Sequence, residues 1–305
     1  MHLTTPVHIA HARQEIDYTK RILLIGSCFA DNIADKLKAH CFQVTANPFG
    51  TLYNPLSIAR CLEILAHNDE KALSEHIIQH NGLYHSFLHH GSFSCADKEL
   101  FANGLSESLK QGTKALQEAD TLIITFGTAW IYEYGGKVVS NCHKLPSNAF
   151  TRRRLNVQEI ANTYRLLLEL PLFRDKQIIF TVSPIRHMKD GLHENQISKS
   201  TLLLAVDELD GDYFPSYEIM MDELRDYRFY ADDMLHPSAI AVDYIWERFA
   251  KTYFSEETQR EMQPLHQLYL DLQHRPLHTD SDSYRAFAKA TQEKRAKLRE
   301  RYPWI

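Results

Sequence analysis

An α/β fold, with a parallel sheet covered by helices on both faces, follows from two observations. Short runs of strand length alternate with helix-period segments along the chain. The clearest run, residues 22–25, is apolar throughout rather than alternating, as in a strand buried on both faces. Parallel neighbours need a crossover between them, normally a helix, and the alternation supplies one each time.

The first strand is Arg21-Ile22-Leu23-Leu24-Ile25, which gives way at Gly26 to a helix. There Phe29, Ile33 and Leu37 recur every fourth residue with Ala30 and Ala34 beside them. Asp31 and Asp35 precede Lys36 and Lys38, the order a helix dipole favours. Residues 42–45 read as a short second strand and Thr121–Phe126 as a third, entering Gly127. Gln177–Val182 reads as a fourth, ending at Ser183-Pro184, and residues 217–221 as a fifth, ending at Asp222. Helices are expected at 156–170, where Asn156 and Glu159 have capping-box spacing, and at 193–209 through Ile197, Leu204 and Leu209. Pro237 is expected to open a further helix that carries Ile240, Ile245, Trp246, Phe249 and Tyr253 to the core.

Two insertions interrupt this plan. Residues 55–118 hold a helix through Ile58, Leu62 and Leu65, then a His- and Gly-dotted stretch at 81–97. Residues 130–150 begin as a hairpin, Trp130–Tyr134 turning at Gly135-Gly136 into Lys137–Val139. Two helices follow residue 255. The organisation expected is one domain over 1–255, with a helical extension at 256–305 packed on it.

Three separate stretches carry chemistry: Gly26-Ser27-Cys28-Phe29-Ala30, Asn47-Pro48-Phe49-Gly50-Thr51, and Asp233-Met234-Leu235-His236-Pro237. Ser27 falls at the carboxyl end of a strand and the mouth of a helix, where open α/β sheets bind ligands. A hydroxyl there can attack an ester carbonyl while nearby N–H groups hold the oxyanion; the alternative role is helix N-cap. Asp233 and His236, three apart on one loop, can set the imidazole tautomer and leave its other nitrogen to accept a proton. Cys28 is a rival nucleophile, since a helix N-terminus lowers a thiol pKa. Adjacent elbow residues point different ways, and the reading adopted packs Cys28 under the turn. Arg186 and His187 follow the fourth strand and can bind an anionic or hydroxylated substrate, or form a loop ion pair. His85, His89 and His90 lack the acidic partner of a zinc motif, so no metal or cofactor is expected.

These residues resemble the GSCFA branch of the SGNH (GDSL-type) hydrolases, over most of residues 20–255. The resemblance implies a flavodoxin-like three-layer fold with a central sheet of about five strands, and a triad of Ser27, His236 and Asp233. It also implies an oxyanion hole formed by the N–H groups of Ser27 and Gly50. The family's third block normally supplies an asparagine, but this chain reads Gly127-Thr128-Ala129-Trp130 there. Asn141, on the hairpin, is the candidate replacement, and His143 beside it a substrate-binding one; as a plain alternative, Asn141 is a turn residue. The function implied is removal of a short acyl group, such as acetyl, from a carbohydrate or small metabolite. Acyl transfer to a sugar hydroxyl and a non-catalytic carbohydrate-binding or scaffold protein are the alternatives.

Composition sets limits. The chain has 305 residues, 44% apolar and 24% charged, enough for a full core. A net charge of −5 gives no reason to expect nucleic acid. Residues 1–10 lack the basic-then-apolar order of a secretory leader, and nothing approaches the roughly 18 apolar residues of a membrane span. Five cysteines without a CxxC pair read as reduced thiols of a cytoplasmic protein. The expected partner is a small-molecule or carbohydrate ester. The Lys- and Arg-rich last helix, residues 284–301, reads as a solvated face or the strut of a homodimer.

Overall fold

The computed structural model describes residues 5–305; residues 1–4, part of the stretch read for a leader, lie outside that range. In chain order the core runs β1 (Arg21–Gly26), α1 (Cys28–Ala39), β2 (Gln43–Ala46), α2 (Pro55–His67), α3 (Lys98–Glu118) and β3 (Thr121–Phe126). It continues through α4 (Val157–Leu168), β4 (Gln177–Val182), α5 (Gly191–Asp207), β5 (Asp212–Phe214) and α6 (Ala239–Tyr253), followed by α7 (Glu256–Gln273) and α8 (Asp282–Arg299). The sheet is parallel with order β2-β1-β3-β4-β5, the doubly wound, flavodoxin-like arrangement.

Each central strand feeds two cores. From β1, Leu23 and Ile25 face one side with residues of α2, α3, α4 and α5; Ile22 and Leu24 face the other with residues of α1, α6 and α7. A fully buried Ile or Leu contributes roughly 1.5–3 kcal/mol, which explains why β1, β3 and β4 are built mainly of apolar residues. Caps fix where the helices begin. Ser27, Asn54 and Ser238 accept N–H groups at the starts of α1, α2 and α6, and Asn156 with Glu159 forms the expected capping box on α4.

Several elements depart from the sequence reading. The fifth strand is Asp212–Phe214, not 217–221, and Pro215 ends it because it has no N–H for the ladder. Residues 216–223 then form a short α/π helical segment that buries Tyr217, Ile219 and Met220. Pro237 precedes α6 rather than opening it, because the Ser238 hydroxyl takes the Ala241 N–H and starts the helix. Ile240 and Leu204 face solvent. The hairpin turning at Gly135-Gly136 forms as expected, but a third strand, Thr151–Arg154, pairs with Trp130–Tyr134 and widens it into a small antiparallel sheet.

The helical extension closes on the α1 side. Leu265 of α7 joins that core, Tyr302 packs beside Tyr18, and the Trp304 indole donates to the Cys41 carbonyl. Within α8 only Thr291 is buried, so this helix presents a solvated surface. Among the described residues no helix is long and apolar enough to cross a membrane.

Gly26 is where the strand must turn. Its φ is +148°, and a Cβ would lie 2.2 Å from the Thr125 carbonyl oxygen. Gly135, at the hairpin tip, also has positive φ (+55°) but open space around it. Gly26→Ala is therefore expected to cost more than about 3 kcal/mol in urea unfolding, against about 1 kcal/mol for Gly135→Ala. Equal losses would show that backbone conformation alone, not the close approach to β3, makes Gly26 necessary.

Candidate active site

The carboxyl ends of β1, β3 and β4 open into a cleft of about 460 Å³, lined in part by Ser27, Cys28, Asn54, Thr128, Arg186 and His236. That volume suits a small organic ligand. The cleft is built from the first βα turn outward. Asn47, itself at φ +45°, accepts the Gly26 N–H on Oδ1 (2.8 Å) and donates from Nδ2 to Asp31 (2.7 Å). The Gly26 carbonyl takes the Leu52 N–H (2.8 Å). Both polar groups of Gly26 are thus held by the 47–52 segment, which fixes how the chain leaves β1.

This geometry reverses the roles assigned to the two elbow residues. Ser27 is only 1% exposed, and its Oγ caps α1 by accepting the Phe29 N–H at 3.3 Å. Cys28 points into the cleft, with its Sγ 3.9 Å from His236 Nε2. Ser27, expected as the nucleophile, borders the same cleft but turns its Oγ to the helix start, and the side chain within reach of the imidazole is the thiol. His236 Nδ1 bonds Asp233 Oδ2 at 2.5 Å, while Asp233 Oδ1 accepts the N–H groups of Leu235 and His236, both at 2.9 Å. One carboxylate therefore shapes the loop and orients the ring. Those two N–H groups, His236's first, and then the imidazole hold the Asp233 carboxyl at about 2, below its ordinary value. With Nδ1 donating to Asp233, Nε2 is left as an acceptor facing the thiol.

Burial pushes the Cys28 thiol above its ordinary value. The N–H groups of Cys28 and Phe29 and the Lys199 ammonium oppose that shift, while Asp31 adds to it. The side chain is therefore a thiol rather than a standing thiolate.

The expected oxyanion donors also move. The Ser27 N–H is given to the Thr125 carbonyl at 3.3 Å and the Gly50 N–H to the Asn47 carbonyl at 2.7 Å, and Gly50 packs against His90. Neither is aimed at the cleft. The Cys28 N–H stands at the first position of α1, where a helix leaves its N–H groups without intrahelical partners. Asn141 and His143 do not replace the absent asparagine. Asn141 Oδ1 accepts the His143 N–H (2.9 Å), and buried His143 bonds the Ser86 carbonyl (2.7 Å) and lies 4.7 Å from His85. The hairpin reaches the cleft with Val139 and Ser140, and the chain then turns away at His143 (φ +48°) and Lys144 (φ +59°). Asn54, which the sequence reading passed over, does face the cleft. Its Oδ1 caps α2 and its Nδ2 spends one hydrogen on Ser57 Oγ, which leaves the other.

Arg186 and His187 both line the cleft as expected. Burial, and then Lys199, bring His187 down to about 4, so it is neutral near pH 7. The other histidines singled out are occupied elsewhere: His85 by Ser94 and the His80 carbonyl, His89 by Ser86, His90 by Ser92.

Lys199 was missed altogether. It is fully buried in α5, and its Nζ donates to the Gly127 carbonyl (2.7 Å) and the Ser183 carbonyl (2.8 Å), tying the ends of β3 and β4 together. Burial lowers its ammonium to about 7, with Cys28 acting the other way. The available signal was the buried stripe of α5, where Asn195, Ser198 and Lys199 stand at positions an ordinary core helix fills with apolar side chains.

Family comparison agrees with the extent of this unit. The GSCFA family model matches residues 21–249, from β1 into α6, and the model of the GSCFA C-terminal domain matches residues 265–305. No curated protein matches the chain. The chain belongs to the GSCFA family.

Proposed function

We propose that the protein is an acyl-transferring enzyme that uses a thiol. In this reading Cys28 is the nucleophile, His236 the general base and Asp233 the group that orients it. The observation that carries the reading is the continuous line Asp233 Oδ2–His236 Nδ1 (2.5 Å) and His236 Nε2–Cys28 Sγ (3.9 Å) at the wall of one cleft. Catalytic contacts are often long before substrate binds, so the second distance is compatible with proton transfer.

In the proposed reaction Nε2 accepts the thiol proton as sulfur attacks the ester carbonyl. The Cys28 N–H and the free hydrogen of Asn54 Nδ2 bond the oxyanion. The imidazolium returns the proton to the leaving alcohol, and a thioester remains on Cys28. Water, activated by the same imidazole, then attacks the thioester and releases the acid. A sugar hydroxyl at the same place gives acyl transfer instead. The His236 side chain is 49% exposed, which favours water.

The strand order, the first βα turn and the Asp-x-x-His loop before α6 support a link to the SGNH (GDSL-type) superfamily. A short acyl ester of a carbohydrate or small metabolite is the substrate class proposed on that resemblance.

Three outcomes are expected. Cys28→Ala and His236→Ala should each remove about 10³-fold or more of 4-nitrophenyl butyrate turnover, and the double variant should be little worse than either. Ser27→Ala should retain turnover while losing about 1 kcal/mol of stability as a helix cap. Multiplicative losses, or turnover that depends on Ser27 and not Cys28, would sink the thiol assignment.

The raised thiol pKa predicts a second result. Less thiolate is present at pH 7 than in a free cysteine, so alkylation of Cys28 by iodoacetamide should be slow there and climb through pH 9 and above. A plateau reached below pH 7 would instead reveal a preformed thiolate–imidazolium pair.

Third, Asn54→Asp keeps the capping oxygen and removes the donor. It should lower kcat by roughly 10²–10³-fold with little change in thermal stability. Unchanged kcat would remove Asn54 from the oxyanion site.

A further inference from the structure

The charge in the cleft runs against the charge of the molecule. Three cationic side chains line it (Arg152, Arg186 and Lys189) and one carboxylate, Asp190, in a chain whose net charge is −5. Arg152 and Asp190 cancel, since the guanidinium grips both carboxylate oxygens and stacks 4.3 Å over the Trp130 ring. Arg152 also drives the Asp190 carboxyl below its ordinary value. Asp233, at the edge, has both oxygens committed to its loop and to His236.

Two cations remain. Lys189 contacts the Tyr132 hydroxyl and sits 4.8 Å over that ring, acting on Asp190 only from farther off. Arg186 makes no ion pair among the described residues, and its Nε is buried without an acceptor. Its polar neighbours are the phenols of Tyr217 and Tyr230, which burial keeps protonated. A half-buried guanidinium without a carboxylate beside apolar Ile185 and Leu235 is an incomplete pair, because desolvated charge is normally matched. Its planar fork suits a carboxylate, and the second cation adds attraction without adding a competing anion.

We infer that Arg186, assisted by Lys189, binds a carboxylate carried by the substrate, so that the cleft accepts small anionic esters in preference to neutral ones. This specificity rests on the acyl-transfer reading above, but the binding itself does not require turnover.

The test is calorimetric titration of the full chain, and of Cys28→Ala, with monomethyl glutarate and with dimethyl glutarate. The two probes differ by one carboxylate. The monoester should bind both proteins at least tenfold more tightly than the diester and weaken markedly at 0.5 M salt. Arg186→Met should lose tenfold or more for the monoester, and exposed Lys189→Met a smaller factor. Equal binding of the two probes, or unaltered monoester binding in a folded Arg186→Met, overturns the inference. If Arg186→Met does not fold, the salt dependence and Lys189→Met decide it in the same directions.

Kinetics then separate this inference from the reading beneath it. With turnover, kcat/KM for 4-nitrophenyl hemiglutarate should exceed that for the butyrate ester at least tenfold, mainly through KM. Selective monoester binding without turnover of either ester keeps the carboxylate site and discards the thiol chemistry. Turnover with no charge preference does the reverse.

Discussion

The geometry of the site depends on how Gly26 is held. Its N–H goes to Asn47, its carbonyl receives Leu52, and the next N–H, from Ser27, reaches across to Thr125 on β3. A side chain at residue 26 has no room beside that carbonyl. With three consecutive backbone groups fixed, the rotation of the chain entering α1 is fixed as well. Ser27 must face the helix start and Cys28 the cleft. The Gly-Ser-Cys-Phe-Ala and Asn-Pro-Phe-Gly blocks are therefore one structural unit, and the Asn47–Asp31 bond ties that unit to the first turn of α1. The second block clamps Gly26, and its Gly50 N–H is spent on the Asn47 carbonyl.

Lys199 is a second constraint below the first. Its ammonium accounts for two strand-end carbonyls that a parallel sheet leaves without partners at its carboxyl edge. Burying the cation is costly, and the fall in its pKa expresses that cost. The Cys28 thiol is raised by the same low-dielectric surroundings. Each group favours the charged form of the other, so loss of the thiol proton is easier with the ammonium in place.

Much of the fold was legible because burial on both faces writes itself directly into sequence. The bounds of β3 and β4 are those read for the third and fourth strands, the capping box starts α4 where Asn156 and Glu159 place it, and Gly135-Gly136 turns the hairpin. The short fifth strand was not legible, since the five residues 217–221 are too few to carry a period that tells strand from helix. Pro215 was the usable signal, and it belongs to the end of the true strand. The carboxylate and imidazole of the late loop were legible because their partnership is local, three residues apart. The residue that meets the imidazole was not. Which of two adjacent side chains faces the cleft is decided by bonds to residues 20 to 100 positions away, and no local spacing encodes them. The same holds for Asn141 and His143, whose direction follows from two positive-φ residues after the hairpin.

The pieces of the site differ in what holds them, and this bears on the chemistry. Cys28 stands on a turn bonded from three sides; His236 stands on a loop held by Asp233 and by backbone bonds from Ala231 to the His236 carbonyl and from Arg186 to the Leu235 carbonyl, with its side chain half open to solvent. A rigid sulfur and a more exposed base suit a mechanism in which the base must meet three species in turn: the thiol, the leaving alcohol and the incoming water. A buried imidazole locked against the thiol serves the first of these and hinders the other two. The 3.9 Å between Sγ and Nε2 leaves the ring room to serve all three in the proposed reaction, with Asp233 holding its orientation throughout.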